Sequence, residues 1–354
     1  MELIKPGTTI DFIGKRRIGF VFSAALILIS LAALIYHGGP KYGIDFAGGT
    51  IVQFKCMDDA AISDIRSGLA DVGMGGATVQ SFGAKEADEY LIRTDQTLIT
   101  GKGFSKEVEN AVTEAAGVET EVQRVEMVGP QVGADLREQA LLALFYALLF
   151  ITIYISGRFE LKWVMSAVMA AALIGAVYLF ALFHVSIPLL ILLALVVTLI
   201  MFWQLRLKFA MGAIVALIHD VFITVGIFSI FGIEFSLPIV AALLTIIGYS
   251  LNDTIIVFDR IRENIKKYTR KKLDAVINQS VNETLSRTIM TSVTTLIVLL
   301  CLFFVGGAII HDFAFAMIIG VLVGTYSSIY VSSPILLLLQ EAPGRGAAEA
   351  MGQA

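Results

Sequence analysis

Eight long apolar stretches constrain the fold of this chain more than any other feature of its sequence. Each one is long enough to cross a hydrocarbon core of about 30 Å as an α-helix. Hydrophobic residues fill 57% of the 354 positions and charged residues only 16%, whereas soluble domains have about 25% charged residues. The sequence therefore predicts a polytopic α-helical membrane protein. The predicted spans are residues 18–36, 137–157, 163–183, 186–205, 209–231, 236–258, 288–308 and 313–339.

Lysine and arginine residues distinguish the two sides of the predicted membrane region. They precede the first span, separate spans two and three and spans four and five, and crowd residues 259–287. The connections at 184–186, 232–234 and 306–312 contain neither residue type. Because positively charged loops stay inside, we expect both termini (1–17 and 340–354) in the cytoplasm. Residues 37–136 are then periplasmic.

The predicted periplasmic segment, residues 37–136, alternates strand and helix signals. Short β-branched runs and two helical patterns follow one another in the order β-α-β-β-α-β. This order predicts a small α+β domain of the ferredoxin-like type. Because the segment has no Ser-His-Asp set, we expect a binding or lever domain and not an enzyme. The predicted strands are 51–55, 77–82, 89–94 and 119–127, and the predicted helices are 58–72 and 105–116.

A glycine motif, Gly-Ile-Asp-Phe-Ala-Gly-Gly-Thr at positions 43–50, follows the first span. Two adjacent glycines predict a tight bend or a close backbone approach. The motif lies where the membrane region meets the predicted domain, so we interpret it as a hinge at the base of the domain. The candidate hinge residues are Asp45, Phe46, Gly48, Gly49 and Thr50.

Asp253 lies inside the sixth predicted span and is the strongest candidate for chemistry. A charged residue at the bilayer centre costs roughly 2.5–3.5 kcal/mol even on insertion scales, so such residues usually have a function. Desolvation disfavours an ionised carboxylate, which suits a group that takes up and releases protons. Asn252 precedes it. Asp220 and His219, in the fifth span, form a second polar pair with two possible roles: part of a proton path, or a hydrogen bond inside the bundle.

Several blocks of this sequence resemble the SecF family of the RND superfamily. Residues 248–264 carry the strongest likeness, through Asn252-Asp253-Thr254 and the run from Phe258 to Asn264. Four shorter blocks occur in the family's order: residues 128–133, 216–221, 285–288 and 324–328.

The resemblance implies a transport role without catalysis. A SecF-like subunit acts with SecD and the SecYEG channel on unfolded preproteins, driven by the proton-motive force; YajC and YidC are further candidate partners. Protons would be the coupling ion, with no other cofactor, no metal and no nucleic acid. The resemblance also assigns proton conduction to Asp253 and coupling to Arg287. From its position alone, Arg287 could equally extend its charged end to the membrane surface.

One departure from the family pattern is an insertion of about 46 residues after Glu160. The family usually has six membrane helices, so this chain would have those six and an inserted hairpin at 163–205. Residues 161–170 also parallel residues 207–216. We expect the hairpin at the rim of the bundle, facing either lipid or a partner helix.

The basic segment 259–287 is predicted to lie along the cytoplasmic membrane surface, because its apolar residues are partly periodic. Three alternative functions stay open for the whole chain. It could be a subunit of a small-molecule RND-type exporter or a passive scaffold. An intramembrane aspartyl protease would use Asp220 and Asp253, but Gly-x-Gly-Asp precedes neither of them.

Overall fold

A computed structural model describes residues 9–58, 60–82, 88–94, 104–183 and 185–341. It contains a bundle of long helices and a small α+β domain at one end of the bundle. We call that end the domain side and the opposite end, where α1 begins, the far side. The helices are α1 (Arg16–Tyr36), α2 (Ile44–Ala47), α3 (Ile62–Asp71), α4 (Phe104–Ala116), α5 (Pro130–Glu160), α6 (Trp163–Ala181), α7 (Ile187–Gln204), α8 (Lys208–Phe231), α9 (Leu237–Lys267), α10 (Leu273–Val305), α11 (Ala308–Ser327) and α12 (Ser333–Glu341).

The domain has the predicted ferredoxin-like arrangement. Its strands are β1 (Gly49–Cys56), β2 (Thr78–Phe82), β3 (Glu89–Thr94) and β4 (Thr120–Val128). All pairs are antiparallel and the sheet order is β2-β3-β1-β4. With α3 after β1 and α4 after β3, the chain follows the β-α-β-β-α-β order. The predicted fold class is therefore confirmed for this part of the chain.

Alternating side chains of the sheet form the core of the domain. Val52, Phe54 and Cys56 of β1 point to one face, where they meet buried residues of α3 and α4 such as Ile65 and Val108. Period-two alternation on strands and helical spacing on the two covering helices produce one shared apolar layer. The domain thus has its own core, separate from that of the bundle.

Eight helices of the described chain are long and apolar enough to cross a membrane, as predicted. The last span runs through α11, a π-helical turn at Ser328–Ser332 and α12. Ser332 and Ser333 both donate their hydroxyls to the carbonyl of Ser328, at 2.9 and 2.8 Å. In a π-helical turn the backbone hydrogen bonds join residues five apart and not four apart. The two serine hydroxyls give the Ser328 carbonyl hydrogen-bond donors at the place where this pattern changes.

The inserted hairpin, α6 and α7, packs against α5 and α8 at the edge of the bundle. Ser166 donates a hydrogen bond of 2.6 Å to Ser156 of α5. Lys162 closes the base of the hairpin by donating to the Leu205 carbonyl at 2.8 Å. The large side chains on the other faces of both helices, such as Val164 and Leu192, are exposed. This rim position agrees with the expectation for an added hairpin.

Residues 259–287, predicted as one segment along the membrane surface, form parts of two long helices. The first, α9, continues to Lys267, and the second, α10, begins at Leu273. At 1.5 Å per residue, the 31 residues of α9 span about 46 Å, so the helix extends beyond a hydrocarbon core of about 30 Å. The physical reason is that the periodic apolar residues, Ile277 and Val281 among them, pack into the main core of the bundle.

Candidate functional site

Asp253 lies on α9 with its side chain directed into the protein. Only 1% of its surface is exposed. Its Oδ2 atom is buried and has no hydrogen-bond partner among the described residues. The hydroxyl of Thr288, on α10, is also buried and also has no hydrogen-bond partner among the described residues. Buried polar groups are normally hydrogen-bonded, and an exception calls for an explanation.

Arg287 precedes Thr288 on α10, and its positive charge acts on the Asp253 carboxyl. No ion pair within 4.0 Å joins these two side chains, both of which the structure describes. The arginine itself is exposed on the surface of the chain. Asp253 is therefore neither directed to lipid nor fixed in a direct salt bridge. This arrangement lets the carboxyl change its protonation state without first breaking a short ion pair.

Asn252, the other candidate on α9, is directed away from this position. Its side chain is exposed, while those of Leu251 and Asp253 on either side are buried. Successive residues of a helix are 100° apart, so neighbours in sequence face different directions. The structure thus places Asn252 on the outer surface of α9 and does not bring it to the buried carboxyl.

Asp220 and His219 form a second buried polar group, on α8. Asp220 Oδ1 lies 2.8 Å from His219 Nδ1. Asp220 Oδ2 accepts hydrogen bonds from the hydroxyls of Ser250 on α9, at 2.5 Å, and Ser327 on α11, at 2.7 Å. Both oxygens of Asp220 therefore have partners, in contrast to Oδ2 of Asp253. The contacts join three helices through one carboxyl group.

The network continues from His219 to α1. His219 Nε2 is 3.1 Å from the hydroxyl of Ser23, and that hydroxyl is 3.0 Å from the hydroxyl of Tyr326. Tyr326 donates a 2.7 Å hydrogen bond to the Gly19 carbonyl near the start of α1. A hydrogen-bonded chain thus leads from Asp220 towards the far side of the bundle. Sequence reasoning missed these serines and Tyr326, because Ser and Tyr are common in membrane helices without any such role.

The glycine motif lies where the domain meets the bundle. Gly48 and Gly49 have φ angles of 80° and 128°, in the region that favours glycine. A Cβ atom at Gly48 would lie 2.8 Å from the Cα of Pro130, at the start of α5. Phe46 is buried against residues of α8 and α9, and Thr50 is fully buried in β1. The bend expected from the sequence is present, together with the close backbone approach.

Asp45 of this motif connects the base of the domain to the helix that carries Asp253. Its Oδ2 accepts a 2.9 Å hydrogen bond from the backbone N–H of Leu237, the first residue of α9. The N-cap residue itself, Ser236, makes no such side-chain bond. Beside this contact, the N–H of Gly43 donates to the Phe235 carbonyl at 2.7 Å and the N–H of Phe235 donates to the Lys41 carbonyl at 2.6 Å. Asp45 thus acts as an N-cap supplied from a distant part of the chain.

Glu234 adds an ionic contact at the same junction, between α8 and α9. Its carboxylate pairs with Lys41, at 3.1 Å, and with Arg93 of β3. The loop before α9 is thereby joined both to the segment leading into the domain and to the sheet. Glu234 is a residue that sequence reasoning missed, although an acidic residue in a loop that lacks Lys and Arg was a signal.

We predict that Asp45→Ala lowers the stability of the folded chain by about 1 kcal/mol, the usual effect of losing a helix N-cap. The loss removes an acceptor and a negative charge from the start of α9. The thermal unfolding midpoint of the purified protein in detergent measures the effect. The control is Asp58→Ala, because Asp58 is an exposed aspartate of the same domain. Equal midpoints for the two variants would contradict the capping role.

Comparison with known proteins supports this geometry. The family described as "Protein export membrane protein SecD/SecF, C-terminal" matches residues 107–199 and 181–342. The two matches overlap inside the inserted hairpin. The family "SecD/SecF GG Motif" matches residues 33–56, which include the glycine motif.

Proteins similar to this chain include the protein translocase subunits SecF of two bacteria. The chain is 42% identical over 349 residues to that of Magnetococcus marinus, covering 96% of this chain and 94% of the relative. It is 41% identical over 344 residues to that of Calditerrivibrio nitroreducens, covering 96% and 97%.

Among solved structures, the crystal structure of SecDF from Thermus thermophilus, described as a translocon-associated membrane protein, superposes with a TM-score of 0.67 at 31% identity. The match covers 96% of this chain and 40% of the SecDF chain, so this chain spans about two fifths of that protein. Helical bundle, domain and motif thus agree with one family, and this chain belongs to the SecF family of protein translocase subunits in the Sec pathway.

Proposed function

We propose that this chain acts with a SecD subunit and uses the proton-motive force to assist the late stage of protein translocation through the SecYEG channel. The observation that carries the proposal is the buried Asp253 carboxyl. One of its oxygens has no hydrogen-bond partner among the residues that the structure describes, and the charge of Arg287 acts on it. Protons are the coupling ion, the substrate is an unfolded preprotein, and no catalytic step is involved. YajC and YidC are further partners in this proposal.

The proposed location is the bacterial inner membrane, with both termini in the cytoplasm and the α+β domain in the periplasm. The charge pattern supports this orientation. Lys15, Arg16 and Arg17 stand at the start of α1 on the far side, and the turn between α9 and α10 holds Arg270, Lys271 and Lys272 on that same side. Positive residues collect on the cytoplasmic side of membrane proteins.

The energy of the proton gradient is sufficient for a conformational switch. One elementary charge that crosses 100 mV contributes about 2.3 kcal/mol. A shift of a two-state equilibrium from 1:99 to 99:1 needs about 5.5 kcal/mol. About two to three protons per cycle therefore supply this free energy. In the proposed cycle, uptake of a proton at Asp253 changes the packing of α9 against α10.

The contacts of α9 support transmission of this change to the domain. Asp253 and the N-terminus of α9 belong to one helix, and that N-terminus is capped by Asp45 at the base of the domain. A change in the position of α9 therefore acts directly on the segment from which the domain extends. The domain would then move against the emerging preprotein.

The test is reconstitution with SecD, SecYEG and SecA in proteoliposomes. We expect translocation of a model preprotein to rise when a proton gradient is imposed, and to return to the ATP-driven level when an uncoupler is added. The control is the same vesicles without this chain. Equal stimulation by the gradient in both vesicle types would contradict the proposal. Gradient-driven export of a small molecule by this chain and SecD, without SecYEG, would favour the alternative exporter function.

A further inference from the structure

A clamp of two asparagines holds the segment before α1 against α10. Asn282 Oδ1 accepts from the N–H of Ile10 at 2.8 Å, and Asn282 Nδ2 donates to the Ile10 carbonyl at 2.8 Å. Asn278, one turn earlier, also donates to that carbonyl, at 3.0 Å. Its Oδ1 accepts from the N–H groups of Phe12 and Ile13, at 2.9 and 3.1 Å. Two side-chain amides thus bind the backbone of a segment more than 260 residues away.

The bound segment is also packed into the bundle. Phe12 and Ile13 are 8% and 2% exposed and belong to the main core, and the ring of Phe12 meets that of Tyr330 edge to face at 5.9 Å. A turn closed by Asp11, which accepts from the N–H of Gly14 at 2.7 Å, leads directly into α1. The start of α1 is therefore fixed in place by what holds residues 10–13.

The clamp lies close to the proposed proton site. Asn282 precedes Arg287 by five residues on α10, which corresponds to about 7.5 Å along the helix. The rest of α1 packs on α8 and on the π-helical turn. At its other end α1 leads to the glycine motif and the domain. The clamp therefore connects the helix of Arg287 to one of the two helices from which the domain extends.

We propose that Asn278 and Asn282 are positioning residues, which bind the segment before α1 so that a displacement of α10 moves α1 and, through it, the domain. This inference rests on the proposed function for the movement it transmits. The clamp itself is independent of the proposed function, because it is a set of hydrogen bonds present in the structure. Both amides contact only backbone atoms of the segment. The clamp therefore depends on where the backbone of the segment lies and not on its side chains.

The first measurement tests the clamp itself, by amide hydrogen exchange on the full chain in detergent. In Asn278→Ala with Asn282→Ala, we expect the N–H groups of Ile10 and Ile13 to exchange at least about tenfold faster, because each loses its side-chain acceptor. The N–H of Phe12 keeps the Ile10 carbonyl as a second acceptor, at 3.2 Å, so its exchange should change less. The matched control is Gln279→Ala, which lies between the two asparagines and contacts other residues. Unchanged exchange in the double variant would show that core packing alone holds the segment, and would overturn the proposal.

The second measurement tests transmission, in proteoliposomes with SecD, SecYEG and SecA, at a temperature where each variant is folded. We expect the double variant to lose most of the gradient-stimulated translocation and to keep the ATP-driven part, while Gln279→Ala keeps both. Full gradient stimulation in a double variant whose segment exchanges rapidly would overturn the transmission role.

A third experiment replaces the clamp by a covalent link between residues 10 and 282. It distinguishes transmission of movement from a purely structural role of the two asparagines. Ile10→Cys and Asn282→Cys are combined with Asn278→Ala, so that neither asparagine remains, and are joined by a short thiol crosslinker. Cys301→Ser is added because Cys301 is exposed. Cys56 can stay, since burial raises the pKa of its thiol to about 11 and leaves it unreactive. Gradient stimulation should return only after crosslinking, and failure to return contradicts the proposal. If the wild-type chain shows no stimulation, the proposed function and the transmission role both fail, and hydrogen exchange alone decides the clamp.

Discussion

Asp253→Asn is expected to remove the gradient-stimulated part of translocation and to leave the ATP-driven part unchanged. Asparagine has nearly the same shape as aspartate but cannot take up and release a proton. The charge that crosses 100 mV contributes about 2.3 kcal/mol, which corresponds to a roughly 40-fold shift in an equilibrium. Without it, the gradient should have no measurable effect on the rate. The measurement is translocation in proteoliposomes with and without the gradient.

A position swap provides a sharp control for this variant. Asp253→Asn combined with Asn252→Asp keeps the number of acids on α9 but moves the acid to the exposed surface of the helix. We expect no recovery, because the carboxyl then lies outside the buried position of Asp253, whose Oδ2 has no hydrogen-bond partner in the described part of the chain. Gradient stimulation at the wild-type level in Asp253→Asn would refute the proton-carrying role. Recovery in the swapped chain would refute the requirement for burial.

Asp220→Ala is expected to destabilise the bundle by about 3 kcal/mol, because three buried groups, on His219, Ser250 and Ser327, lose their shared acceptor at roughly 1 kcal/mol each. The sequence left this residue with two possible roles. The structure favours the hydrogen bond inside the bundle, because both of its oxygens already have partners. The thermal unfolding midpoint in detergent measures the loss.

Two further variants distinguish the roles of Asp220. Asp220→Asn retains an acceptor but no titratable group, so we expect a smaller loss of stability and nearly full gradient stimulation. The control is Thr224→Val, which removes only a local hydrogen bond to the backbone of the same helix. If Asp220→Asn were stable and yet lost gradient stimulation, Asp220 would belong to the proton path, together with the chain through His219 and Tyr326.

The sequence by itself determined the number of spans and the strand and helix order of the domain, and it singled out Asp253 as the candidate for chemistry. These features are local. The length of an apolar run decides whether a helix can cross the membrane, and alternation with period two or 3.6 decides which element forms. An acid inside an apolar run is conspicuous because of its desolvation cost. The bend at Gly48 and Gly49 is local in the same way, since it follows from the residue type.

Only the tertiary structure decided which polar groups meet. Asp45 caps a helix 192 residues away, Asp220 binds serines on two other helices, and Asn278 binds the segment before α1. Likewise, Asn252 turned out to face outwards and residues 259–287 to extend two helices. The reason is that helices apolar on every side carry no pattern that fixes their rotation. The direction of each polar side chain is set when small residues and hydrogen bonds select one packing of the bundle.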